Sequence, residues 1–216
     1  NLVATATTGN ISDSGNLTIA GTSSFITSAT DADIILNNAN AFTGAVALNT
    51  TGSTGHATVV DASGLNLGAS TVGGNLSATA TTGNMEDSGV LTIAGTSSFT
   101  TSATDADIIL NNANAFTGAV ALNTSGSTGH ATVVDASNLN LGASTVGGNL
   151  SATATTGNME DSGVLTVAGT SSLTTSATDA DIILNNANAF TGAVALNTTG
   201  SSGNVTVVDA SNLNLG

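Results

Sequence analysis

Small apolar residues alternate with polar ones along most of this chain, in runs too short to be helices. Between residues 75 and 148 the pattern resolves eight such runs: 75–80 (NLSATA), 84–88 (NMEDS), 90–95 (VLTIAG), 97–102 (SSFTTS), 107–112 (DIILNN), 116–124 (FTGAVALNT), 131–137 (ATVVDAS) and 139–144 (LNLGAS). Leu91 and Ile93 flank Thr92, and Leu76, Ala78 and Ala80 flank Ser77 and Thr79. Phe116, Gly118, Val120 and Leu122 likewise flank Thr117, Ala119 and Ala121. Period two marks a strand with one face buried. Thr, Val and Ile suit extended backbone, and the gaps hold Gly, Asn, Asp and Ser, which turn. A surface helix would want Glu, Lys, Arg or Gln on its wet side, and these residues are nearly absent. The chain is predicted to be all-β.

The runs recur. Residues 75–148 restate 1–74 with seven changes, at positions 3, 11, 12, 16, 26, 51 and 64, and residues 149–216 restate 75–142 with six. Three units follow, 1–74, 75–148 and a shortened 149–216, in one continuous rod. Tandem copies at such a period mark arrays in which each unit buries its apolar face on its neighbours. Eight strands pair into about four coils per repeat, averaging 74/4 = 18.5 residues, and three coils of about 25 also fit the length. Stacked coils set each strand parallel to its counterpart one coil on, with Leu, Ile, Val, Phe and Ala filling a narrow interior. The predicted architecture is a β-solenoid, in its simplest form a right-handed parallel β-helix, because crossovers between parallel strands are right-handed. At a strand spacing of about 4.8 Å a four-coil repeat rises about 19 Å.

A β-sandwich per repeat would need hairpins and a bulky core, and five Phe with no Trp or Tyr leave such a core poorly filled. Differences between copies fit a thin core that tolerates volume changes: Phe25 and Phe99 become Leu173, Ile19 and Ile93 become Val167, and Ile11 becomes Met85 and Met159. The chain begins without Met and stops inside a repeat, so a segment of a longer protein is expected.

Charge narrows the function. There is no Lys or Arg against fourteen Asp and Glu, for a net charge of −14. Nucleic-acid binding and recruitment to anionic membranes both rest on cationic side chains, so neither partner is expected. No apolar stretch is long enough to cross a bilayer as a helix, and without Cys there is no disulfide framework, thiolate zinc site or thiol nucleophile. Low charge with abundant Ser, Thr, Asn and Gly is also the composition of disordered chains. The lack of Pro and the regular apolar clusters argue against that.

The runs LTIAGTSSFTTSATDADIILNNANAFTGAVALNT and TVVDASNLNLGASTVGGNLSATATTGN resemble the repeat regions of giant filamentous-haemagglutinin-type adhesins, exoproteins of the two-partner-secretion group. The resemblance covers essentially the whole chain. It implies an extracellular or cell-surface bacterial protein whose right-handed β-helical repeats form a long rod.

Candidate chemistry is sparse. His56 and His130 hold equivalent places, but the third copy has Asn204 there, which a general base would not survive. A solvated loop position is expected. Each copy carries a D-x-D pair, Asp31/Asp33, Asp105/Asp107 and Asp179/Asp181. With Asn, Thr and carbonyl oxygens these six aspartates are the candidate calcium ligands, although the calcium-binding nonapeptide and the EF-hand loop are both missing. Asp61, Asp135 and Asp209 stand alone in VVDAS, and Asp13, Asp87 and Asp161 precede Ser-Gly, with Glu86 and Glu160 beside the last two. All these acids are expected on corners and outer faces, where they keep a rod soluble. Asn37/Asn38, Asn111/Asn112 and Asn185/Asn186 are expected where coils turn, since Asn tolerates the left-handed region, with stacked side chains forming ladders. The Thr runs at 5–8, 79–82 and 153–156 are expected on an outward strand and corner.

No catalytic residue, cofactor or small-molecule substrate is expected, since no cation is available to stabilise a developing anion. The expected function is a non-enzymatic extracellular shaft of a large bacterial adhesin or fibre. Its partners would be neighbouring copies of the same array and, laterally, other rods. The alternatives are a self-assembling matrix or sheath filament, and a calcium-dependent or carbohydrate-binding repeat module built on the D-x-D corners.

Overall fold

The structure is a computed structural model that describes Asn1–Gly216 in full. It contains strands and no helix, and the strands sort into two sheets, of 12 and 13 strands, in which every pairing is parallel. This is the β-solenoid expected from the alternation. Stacking is parallel because successive coils run in the same direction, so each strand meets a different run of the repeat one coil on. Leu76 pairs with Ser97, Ser97 with Val120 and Val120 with Leu141, giving coils of 21, 23 and 21 residues.

Coil number falls between the two that the length allows. Along the 12-stranded sheet seven steps separate Leu2–Ala6 from its third-copy equivalent Leu150–Ala154, so 148 residues make seven coils and one repeat makes three and a half. Eight runs become seven faces because two of them share one. Met85–Asp87 and Leu91–Ile93 lie side by side against the single long strand Ile108–Phe116, with Met85 opposite Ile108 and Ile93 opposite Phe116. Seven is odd, so each copy hands the chain to the opposite sheet: Leu76–Ala80 is in the 13-stranded sheet, whereas Leu2–Ala6 and Leu150–Ala154 are in the other. At about 4.8 Å per coil the repeat rises about 17 Å, less than a four-coil unit would.

The run at 116–124 is also two elements. Ile108–Phe116 ends one face and Val120–Ser125 begins the next, with the corner at 117–119. Gly118 makes that corner possible, because a Cβ there would run into the Gly95 carbonyl of the coil below.

The interior is one cluster of 39 buried apolar residues running from Phe25 to Val194. It holds two edge-to-face pairs, Phe25 with Phe42 at 5.9 Å and Phe99 with Phe116 at 5.8 Å between ring centroids. Such pairs add about 0.5–1.5 kcal/mol beyond the area they bury. In the third copy Leu173 replaces the first ring and is still fully buried.

A core this thin has few neighbours to close a gap, so Phe99→Ala should destabilise the middle copy by about 3–5 kcal/mol. Phe99→Leu, the substitution the chain itself makes at 173, should cost no more than about 1.5 kcal/mol. Urea unfolding followed by circular dichroism separates the two. Equal losses would mean that the ring pair does not organise this part of the core.

Candidate functional site

The candidate site residues fall into two structural devices. The first is the D-x-D corner. Asp31, Asp105 and Asp179 adopt left-handed backbone, with φ of 61°, 62° and 61°, and Gly52, Gly126 and Gly200 do so one coil further on. Left-handed geometry is unfavourable for most residues but accessible to Asp and Gly. The coil therefore turns sharply at a residue whose side chain can bond locally. Asp105 Oδ1 accepts the amide of Thr128 at 2.8 Å, and Asp179 Oδ1 accepts those of Ser201 and Ser202 at 2.9 and 2.8 Å. The second aspartate of each pair does the same two residues on, Asp33 accepting from the His56 amide and Asp107 from the His130 amide, at 2.8 and 2.7 Å. Asp31 accepts from Thr54 and Asp181 from Asn204 in the same way. The six calcium candidates thus each tie one coil to the next. No group of three or more His, Cys, Asp or Glu side chains converges to hold a metal ion.

The second device is buried, and here the expectation of surface acids is corrected. Asp61 and Asp135 are 0% exposed, and Asp87 and Asp161 are 7% and 8% exposed. With no cation in the chain, N–H groups do the work of a counter-charge. Asp87 accepts the Asn111 and Asn112 amides and, at 2.7 Å, the Nδ2 of Asn114. Asn114 is itself 0% exposed, and its Oδ1 accepts the Leu91 amide at 2.8 Å. Asn114 pairs in turn with Asp135 of the following coil, whose carboxylate accepts Phe116 N on one oxygen and Ser137 N and Oγ on the other. A neutral carboxamide therefore stands between two buried carboxylates. Asn40 and Asn188 repeat the arrangement against Asp13 and Asp161. Asp209, in the last coil, bonds only Ser211.

These asparagines carried a signal in the sequence, the NNANA spacing that puts Asn114 on the inward phase of its strand. The adjacent pairs behave differently from expectation. Asn37/Asn38, Asn111/Asn112 and Asn185/Asn186 lie inside long strands and not in left-handed turns, at a bulge where the register shifts between Leu110 and Asn114 and at the equivalent places. Asn side chains build no ladder of their own. Asn75, Asn84 and Asn149 each accept an amide one coil away, from Thr96, Asp107 and Thr170. The two histidines are more than solvated loop residues, because His56 and His130 Nδ1 accept the Asn75 and Asn149 amides at 2.8 Å. The outward Thr runs lie where expected, with Thr79 and Thr153 on outward strand positions and the rest at the corner.

Environment separates the carboxylates. Burial draws Asp13 upward, but Asn40 and Asn38 outweigh it and hold the group below the ordinary aspartate value. Amide and hydroxyl donors of Thr128 lower Asp105, and those of Ser202 lower Asp179. Asp135 goes the other way, pushed up by burial and only partly offset by Ser137 and Phe116. A lowered group contributes stability above the ordinary value near 3.8 and loses it as the pH falls through its folded value. Asp135 has the opposite sign, its contribution being present in acid and lost as the pH rises through its raised value.

Asp105→Asn keeps both the acceptor and the tolerance for positive φ. Its melting temperature should therefore fall less than that of the parent between about pH 5 and pH 3. Asp105→Val, strained at φ 62°, should melt lower than the parent at every pH. If Asn reproduced the parent's acid slope, the lowered carboxylate would not be its source. Inside the rod, Asn114→Leu leaves the Leu91 amide unpaired and takes the shortest of its donors from the Asp87 carboxylate, and should cost about 3 kcal/mol. Denaturant unfolding reads this directly, and a loss below about 1 kcal/mol would show that the bracket is dispensable.

A family model described as repeats of unknown function, DUF5649, matches residues 1–49, 54–123 and 128–197. No curated protein and no solved structure matches the chain. The second and third matched segments start 74 residues apart, in the turn before Ala57–Asp61 and its equivalent, so a family unit straddles the copies as numbered above. A continuous solenoid has no natural first residue, and any phase of the 74 describes it equally well. The matches cover most of the chain and recur with its own period, and the chain belongs to the DUF5649 family of repeats.

Proposed function

We propose that the chain is a passive, non-enzymatic extracellular shaft, a length of rod in a large bacterial surface adhesin or fibre whose binding is done elsewhere. The observation that carries this reading is that the ladder crosses copy boundaries without a break. Ala57–Asp61 pairs position for position with Leu76–Ala80, and Ala131–Asp135 with Leu150–Ala154. Each added copy extends both the hydrogen bonding and the core, so length scales with copy number. The commitment of the repeated aspartates to amides of neighbouring coils supports a structural role over catalysis or cofactor binding. Lack of Lys and Arg leaves trypsin-like proteases no cleavage site, and lack of Cys suits a long chain secreted before it folds. The likeness of the sequence to filamentous-haemagglutinin-type repeats supports the adhesin and the cell surface.

A second reading, a filament whose rods associate side by side, is favoured by the outer faces. On the 13-stranded sheet the outward rows Thr58, Ser77, Ser98, Ala121 and Val60, Thr79, Thr100, Asn123 carry no charge. Uncharged strand faces favour lateral packing.

Sedimentation velocity and small-angle scattering distinguish these readings, on the 216-residue chain and on one lengthened by a copy, in EDTA and in calcium. A shaft stays monomeric throughout, and its longest dimension grows by about 17 Å with the extra copy. Concentration-dependent polymers would replace it with the filament reading. Assembly or a raised melting temperature in calcium alone, lost in Asp105→Asn/Asp107→Asn, would make the D-x-D corner a metal site.

A further inference from the structure

The outer surface has one concavity at each copy junction, on strand positions that the aspartate corners do not use. Thr43, Gly64, Leu65, Asn66, Asn84 and Glu86 line a groove of about 340 Å³ across successive coils. At the next junction Thr117, Asn138, Leu139, Asn140 and Glu160 line its counterpart, of about 190 Å³. The first groove is the larger because Gly64 has no side chain in the row between Thr43 and Asn84. In the second, Asn138 stands at that position with its Oδ1 accepting the Asn158 amide at 2.9 Å, and the groove is smaller. Register sets Asn66 beside Glu86 and Asn140 beside Glu160.

Asn84 Oδ1 and Asn138 Oδ1 already accept the Asp107 and Asn158 amides, but one acceptor in each groove is uncommitted. Asn66 Oδ1 and Asn140 Oδ1 are enclosed with no hydrogen-bond donor, the same atom in both copies. An enclosed acceptor without a donor costs stability and calls for an explanation. Each groove adds a carboxylate, a second carboxamide and a hydroxyl to that acceptor, and it contains neither a cation nor an aromatic ring.

We propose that the junction grooves bind a neutral saccharide unit. Two neighbouring sugar hydroxyls donate to the Glu86 carboxylate and, as the Glu86 side chain swings aside, to Asn66 Oδ1. Thr43 and Asn84 meet the remaining oxygens. The chemistry is selective: adjacent hydroxyls supply the donors these acceptors lack, while Glu86 and a net charge of −14 repel acidic sugars. A volume of 340 Å³ lies at the small end of ligand sites and is far larger than a bare cation needs. One carboxylate also falls short of what a calcium site gathers. Without an aromatic platform each groove binds weakly, and useful affinity comes from several grooves together.

The half-integral repeat decides the geometry of that multivalency. Leu65–Leu67 and Met85–Asp87 put the first groove on the 12-stranded sheet, and Leu139–Leu141 and Met159–Asp161 put the second on the 13-stranded one. Neighbouring grooves therefore open on opposite sides, and grooves on one side recur every seven coils, about 34 Å. A rod of this kind ties separate glycan chains together and does not track along one.

Affinity electrophoresis tests this, with the 216-residue chain run in EDTA through native gels containing dextran, galactomannan, xyloglucan or laminarin, and polygalacturonate as the acidic comparison. The variants use residues the chain already carries at equivalent positions: Gly64→Asn as at 138, and Glu86→Ser/Glu160→Ser as at Ser12. Unchanged thermal melts would confirm that they fold. At least one neutral polysaccharide should retard the parent and polygalacturonate should not. Glu86→Ser/Glu160→Ser should abolish the retardation, Gly64→Asn should weaken it, and Asn138→Gly should strengthen it. The proposal is overturned if no neutral polysaccharide retards the chain, if the double serine variant is retarded as before, or if retardation appears only when calcium is added.

Discussion

A chain with fourteen acids and no Lys or Arg has to satisfy every carboxylate it encloses with N–H donors, and the rest of this structure depends on how it does so. Burying an ionised group without a partner is costly. Here the partner is the neighbouring coil. Parallel stacking sets neighbouring coils about 4.8 Å apart, so an aspartate at a corner or bulge reaches the amides of the next coil directly. Except for Asp209, every aspartate accepts at least one amide from an adjacent coil, as Asp13, Asp31 and Asp61 do in the first copy. The carboxylates act as clamps along the rod axis. Asn40, Asn114 and Asn188 make this workable inside the core, each offering to the coil before it a donor for an aspartate and an acceptor for the amide four residues further along.

The same dependence explains why so varied a surface can sit on so uniform an interior. The clamps hold the coils in register, and the apolar filling then needs only the right approximate volume. Phe99 can become Leu173, and Ile93 can become Val167, with the position still fully buried. Where a side chain would obstruct the stack the chain has no latitude. Gly147 lies over Gly126, which lies over Asp105, and a Cβ at Gly147 would run into the Gly126 carbonyl oxygen. Glycine is fixed there by close approach, and at Gly126 also by a φ of 80°.

Three and a half coils per copy is a geometric fact with a functional consequence. An integral number would align every copy on one side of the rod and give it a single distinctive face. The odd count of faces instead alternates the copies, so any feature repeated once per copy appears on both sides. For a shaft this balances the two sheets, because the long strand of each copy, such as Ile108–Phe116, falls in one sheet and that of the next copy in the other. For the junction grooves it sets successive sites back to back.

Much of this was legible in the sequence. The alternation around Leu91 and Ile93, the 74-residue period and the small apolar residues determine a thin parallel solenoid, because only stacking on a neighbour can bury so narrow an apolar face. The D-x-D pairs mark the corners, although not which residue would take positive φ. Tertiary structure alone decided the coil count, since nothing in Met85–Asp87 or Leu91–Ile93 reveals that both will pair with Ile108–Phe116. It also decided where the acids go. Read alone, Asp135 is a charged residue and belongs in water; it is enclosed because Phe116 and Ser137, 19 residues before it and two after it, bring their N–H groups to its carboxylate. The groove at Gly64 was invisible for the same reason: a missing side chain becomes a cavity only when the coils on either side of it are in place. Periodicity is a property of neighbours in the chain, whereas a buried charge and a cavity are properties of neighbours in space.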